Sequence, residues 1–150
     1  MERITFNQIP KGMMENMMAT ENYINNSSLG YQLLELVRLR IAQINKCAYC
    51  IDMHYKELKH SGETELRIST LSVWKETSFF TEKEKAILLF TEALTEISKN
   101  DISEEIYHGL TTFFTTAEIC NLALAISQIN TWTRLMRTFG STAGNYEVTK

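Results

Sequence analysis

Apolar residues recur at helical intervals along most of the chain. Leu33 and Leu34, Val37, Ile41 and Ile44 follow the turn-like segment NNSSLG at 25–30, and spacings of three and four put such residues on one face of an α-helix. The pattern predicts a helix over 30–44. A second helix is expected over 46–60, stopping at Gly62, a residue suited to the left-handed position just past a helix C-terminus. Ile87, Phe90, Leu94 and Ile97 mark another over 82–98, closed by Asn100 and Asp101. Thr81 with Glu84, and Thr115 with Glu118, match the capping box, in which hydroxyl and carboxylate satisfy orphan amide donors reciprocally. The stretch GLTTFFTT at 109–116 is rich in β-formers, but it is too short, between helices, to make an isolated strand. Met13, Met14, Met17 and Met18 would cover one face of an N-terminal helix, most simply as core or subunit contacts. The expectation is an all-α, multihelical single domain over 1–150, with a short N-terminal segment and a tail at 140–150 on its periphery.

An internal similarity crosses this pattern. LRIAQINKC at 39–47 and LAISQINTW at 124–132 share Leu, Ile, Gln, Ile and Asn at equivalent places, predicting two helices that end and turn alike. The second copy carries Trp132 for Cys47, Leu135 for Cys50, Phe139 for His54 and Cys120 for Glu35. Any chemistry therefore belongs to the first copy.

Composition narrows the classes. A chain of 150 residues buries well over half of the surface it exposes when unfolded, so neither a disulfide nor a metal is required for stability. Pro10 is the only proline, which leaves the rest free of the strongest helix breaker. The net charge is −3, with no run of Lys or Arg; phosphate binding needs clustered positive charge, so nucleic acid is set aside as a partner. The N-terminus has no basic start followed by an apolar run, and no stretch approaches the roughly 20 apolar residues of a membrane span. A cytoplasmic protein without a membrane partner is expected. In a reducing cytosol a Cys-x-x-Cys pair is more often redox-active or metal-binding than a structural bridge. Cys120, in EICNLALAIS, reads as a buried apolar side chain.

NKCAYCIDMHYKEL at 45–58 holds two of the three cysteines and one of the three histidines. At about 100° per residue, Cys47, Cys50 and His54 share one narrow helical stripe. With Asn45 as the cap, both sulfurs lie in the first turns, where unpaired amides and the macrodipole favour a thiolate. An ordinary thiol of pKa about 8.5 is only about 3% thiolate at pH 7, whereas a pKa near 7 gives about half. His54 is placed to collect the proton. Its upstream partner would be Glu35, which on one straight helix lies about 18 Å from Cys47. The site therefore demands a reversal, for which QINK at 43–46 is the place, Asn45 ending one helix and capping the next. Glu35 could instead simply pair with Arg38 at i+3. A zinc site would need a fourth ligand such as His60 or His108 and lacks a second knuckle. A thioredoxin-like site would need a preceding strand. An inert buried pair fits poorly with Lys46, Asp52 and Lys56 as neighbours.

The pattern Glu35, eleven residues, Cys47-x-x-Cys50, three residues, His54 resembles the signature of the AhpD-like alkylhydroperoxidases, within the carboxymuconolactone decarboxylase superfamily. The resemblance extends through CAYCIDMHYKELKHSGE, Trp74, EKEKAILLFTEALTEIS and QINTWTRL, about two thirds of the chain. It implies a helical bundle assembling as a homo-oligomer, often a trimer or hexamer, with no metal or organic cofactor. It also implies a thiol-dependent peroxidase for small organic hydroperoxides: Cys50 attacks the peroxide, Cys47 resolves, and His54 with Glu35 relays protons. Cys50 would pass through a sulfenic acid to a Cys47–Cys50 disulfide, reduced by an external dithiol or a protein thiol. Some members carry histidine where this chain has Tyr49. The lactone-decarboxylase branch generally lacks the cysteine pair. A non-catalytic redox-sensing or oligomeric assembly protein, whose disulfide changes packing without turnover, is the alternative reading, ahead of a zinc-binding interaction module.

Overall fold

The computed structural model describes residues 2–149. Seven α-helices follow one another there: α1 Lys11–Asn25, α2 Tyr31–Ile44, α3 Ala48–His60, α4 Glu65–Thr70, α5 Glu82–Thr95, α6 Glu104–Thr111 and α7 Thr116–Phe139. Two 3-10 turns, Phe6–Gln8 and Leu71–Glu76, complete the order, with no strand among the described residues. The fold is all-α.

The sequence of α2 explains its place at the centre. Every residue from Leu34 to Leu39 is buried, as are Ile41 and Ala42, so the helix is covered on all sides and not along one stripe. Val37 and Ile41 pack with Ile87 and Phe90 of α5 and Leu122, Ile126 and Ile129 of α7. Leu36 and Leu39 face Leu58, Ile68, Leu71, Trp74 and Leu88. Complete burial of each such aliphatic side chain contributes about 1.5–3 kcal/mol. Glu35 and Arg38 are carried into this interior by the same helix, and buried charges persist only when paired. By contrast α1 buries one residue, Ile24.

Both capping boxes form: the Thr81 and Thr115 hydroxyls accept from the Glu84 and Glu118 amides, and the two carboxylates accept in return from the threonine amides. Gly62 takes φ +97° just beyond α3. Some boundaries differ from expectation. α5 stops at Thr95, because Glu96 leaves helical geometry and its carbonyl is taken by the Asn100 amide and side chain. Ile97, expected in the buried stripe, is 60% exposed. GLTTFFTT is the end of α6 and the connection to α7, which buries Phe114.

The internal similarity does not produce two alike turns. α2 ends at QIN, whereas α7 runs straight through its copy to Phe139. The equivalent asparagines meet instead: Asn45 donates to Asn130 Oδ1 and to Thr133 Oγ1, both at 2.9 Å. Cys120 is exposed, contrary to expectation, since the buried stripe of α7 runs through Ile119, Leu122, Ile126 and Ile129. At the chain ends, Arg3 N–H donates to the Phe139 carbonyl. The tail runs along α3, where Gly144 N–H donates to Asp52 and Lys56 donates to the Tyr146 carbonyl, each at 2.8 Å.

Candidate functional site

The reversal between α2 and α3 builds the site. Asn45 terminates α2, its N–H reaching the Ile41 carbonyl, and Lys46 turns the chain with a left-handed φ of 53°. The cap of α3 is Cys47 and not Asn45, whose side chain is committed to α7. Cys47 Sγ itself accepts from the Cys50 amide at 3.4 Å. The sulfur thus occupies the position where helix amides are unpaired and negative charge is favoured. Cys47 and Cys50 are 1% and 3% exposed and joined by a disulfide, with Cα atoms 5.3 Å apart.

One turn on, His54 is buried and its Nδ1 lies 2.7 Å from Glu35 Oε2. The other carboxylate oxygen accepts from Arg38 Nη1 at 2.8 Å, so the expected ion pair within α2 exists alongside the link to His54. Arg38 Nη2 continues to Asn25 Oδ1 at 2.8 Å and Glu21 Oε1 at 2.5 Å on α1. Trp132 of α7 donates to the second Glu21 oxygen at 3.3 Å. Burial raises the pKa of Glu35, but His54 and then Arg38 outweigh it and hold the carboxyl below its ordinary range. An ionised Glu35 can only accept, so Nδ1 is the donor. In a neutral ring that leaves the lone pair on Nε2.

Glu35, Cys50 and His54 line a cavity of about 350 Å³. Its other walls include Met14 and Met18 from α1; Met14 also packs against the cluster that holds Cys47 and Cys50, whereas Met18 is exposed. Tyr49 lines it too, its phenol pushed up by burial and then by Asp52 and Glu2. Neither His60 nor His108 joins the cysteines: both are exposed, and no group of three or more metal-ligating side chains is drawn together among the described residues.

Several lining residues escaped the sequence reading, Glu57, Tyr31 and Tyr146 among them. Glu57 accepts from Tyr31 OH at 2.8 Å and from Tyr146 OH. Burial and then the Glu35 charge raise the Tyr31 phenol, and burial and then the Glu57 hydrogen bond raise that of Tyr146. Glu57 was findable, lying three residues past His54 on the same helical stripe. Nothing in the periodicity ties Tyr146, on the tail, to this place.

A helical bundle with a Cys-x-x-Cys at a helix start, backed by a buried His–Glu pair, defines an AhpD-like thiol protein. The sequence pattern of the carboxymuconolactone decarboxylase family matches residues 11–93, and the chain belongs to that family. An uncharacterised Bacillus subtilis protein, YdfG, is 35% identical over 144 residues, covering 96% of this chain and 98% of its own. The crystal structure of ATU0492 from Agrobacterium tumefaciens, a protein of unknown function and candidate antioxidant defence protein AhpD, superposes with a TM-score of 0.92. It is 35% identical, covering 97% of this chain and all of that one. An uncharacterised peroxidase-related protein with an alkylhydroperoxidase AhpD core, from Ralstonia eutropha, shares the fold at a TM-score of 0.79 with 17% identity, over 89% of this chain and 72% of that one. No helix among the described residues is long and apolar enough to cross a membrane.

Proposed function

We propose that the protein is a thiol-dependent peroxidase reducing small organic hydroperoxides, with Cys50 as nucleophile, Cys47 as resolving thiol, and His54 and Glu35 as proton relay. The observation that carries this reading is the buried 2.7 Å contact between His54 Nδ1 and Glu35 beside the Cys47–Cys50 pair, in a cavity that reaches Cys50. With Nδ1 held by Glu35, Nε2 takes the Cys50 proton, and Glu35 stabilises the resulting imidazolium.

The thiolate attacks the terminal peroxide oxygen. The O–O bond breaks, Cys50 becomes the sulfenic acid, and the departing alkoxide takes the proton from His54 to leave as alcohol. Cys47 then attacks the Cys50 sulfur, forming the disulfide and releasing water. An external dithiol supplies the two electrons and two protons that restore both thiols. The α3 N-terminus favours the thiolate at each stage.

The test is steady-state consumption of cumene hydroperoxide with a dithiol. Cys50→Ser should abolish turnover, and Cys47→Ser should form a trappable sulfenic acid without cycling. Wild-type rates in Cys50→Ser would sink the proposal. A single stoichiometric oxidation of the wild type, without turnover, would make the protein a redox sensor instead.

A further inference from the structure

The cavity at Cys50 is lined by thioether and ring surface together with an unbalanced set of charges. Met14, Met18, Met53, Ile129 and Trp132 supply the apolar surface. The charged groups facing it are three carboxylates, Glu21, Glu35 and Glu57, and one guanidinium, Arg38, with His54 as the remaining base. Arg38 is already committed to Glu35, Glu21 and Asn25. No lysine among the described residues lines the space. Glu57 has no ion-pair partner among those residues; its two oxygens are held by the phenols of Tyr31 and Tyr146 instead.

We propose that this cavity admits uncharged apolar ligands and rejects anionic ones, and that Glu57 sets the discrimination. The inference rests on the peroxidase reading for its substrate class, which becomes neutral alkyl or aryl hydroperoxides as opposed to carboxylate-bearing ones. A neutral ligand gains contact with polarisable methionine and tryptophan surface. An anion gives up its hydration, meets an excess of negative charge and finds Arg38, the one guanidinium among the described lining residues, already occupied. A carboxylate several ångströms from Glu57, with effective protein screening, is disfavoured by about tenfold or more in affinity. The two phenols fix the Glu57 side chain, so it cannot swing away to relieve the repulsion.

Two unreactive ligands separate this inference from the activity: cumyl alcohol and its para-carboxylate. Titration calorimetry should show cumyl alcohol binding, with the carboxylate about tenfold weaker or worse. Cumyl alcohol should also slow alkylation of Cys50 in the reduced protein, read by peptide mass spectrometry. Glu57→Gln, whose amide oxygen accepts from one phenol and whose amide nitrogen donates to the other, should close most of the gap; if it fails to fold, Glu57→Ala carries the same expectation. Equal or tighter binding of the carboxylate, no binding of cumyl alcohol, binding without protection of Cys50, or an unchanged gap in the folded variant would each overturn the inference. Neither ligand contains a peroxide bond. A protein with this preference but no peroxide turnover would therefore lose the peroxidase reading and keep the cavity's selectivity.

Discussion

Glu35 sits where a carboxylate is costly, 2% exposed inside a helical core, and stays charged because His54 and Arg38 each bind one of its oxygens. Glu35→Gln keeps the shape and removes the charge that stabilises an imidazolium. It should lower kcat/KM for cumene hydroperoxide by about 10- to 100-fold, measured at saturating dithiol. The same group links stability to acid. Its folded pKa lies below the ordinary 4.5, so its contribution is complete above that value and is lost as the pH falls through the depressed one. Melting temperatures measured against pH should decline on that acid limb, and less steeply in Glu35→Gln. The shared stripe of Cys47, Cys50 and His54 was legible from helical spacing, whereas spacing alone left Glu35 as readily a partner of Arg38, and it bonds to both Arg38 and His54. Glu21 was not legible, since its role depends on how α1 docks and not on any repeat along the chain. Cys120 was misread for a related reason: a hydrophobic neighbourhood in sequence does not say which side of a helix faces inward.

At the scale of elements, local chemistry set the helix starts more reliably than their ends. A threonine hydroxyl and a glutamate three residues on satisfy amides without help from the rest of the fold, which is why both boxes could be read in advance. Thr115→Ala should cost about 1 kcal/mol, measured by urea denaturation, through the orphaned Glu118 amide at the start of α7. The six-residue α4 and eight-residue α6 were not separately legible, because helices of about two turns carry too little periodicity to stand out. Nor could sequence show that α7 would continue through QIN while α2 stopped there. The same three residues end a helix only where Lys46 turns left-handed and α3 doubles back.

For the molecule as a whole, the thiols are peripheral to stability even though they are buried. The Cys47–Cys50 disulfide has a sequence separation of three, and so short a loop removes chain entropy worth only about 2 kcal/mol. Reduction should therefore leave the far-ultraviolet circular dichroism helical and move the unfolding free energy by no more than about that amount. Membership of the family and the all-α fold were both legible beforehand, since stripes, caps and the Glu–Cys–Cys–His spacing agree with one another. The route into the cavity was not. Helix α1 borders the cavity, contributing two of its methionines while burying only Ile24 in the core. Breathing of α1 would open the cavity, and it would also loosen the Arg38 contacts with Asn25 and Glu21 that help to hold Glu35. Amide deuterium uptake should run ahead in α1 and lag in α2; equal protection of the two would mean that entry lies elsewhere.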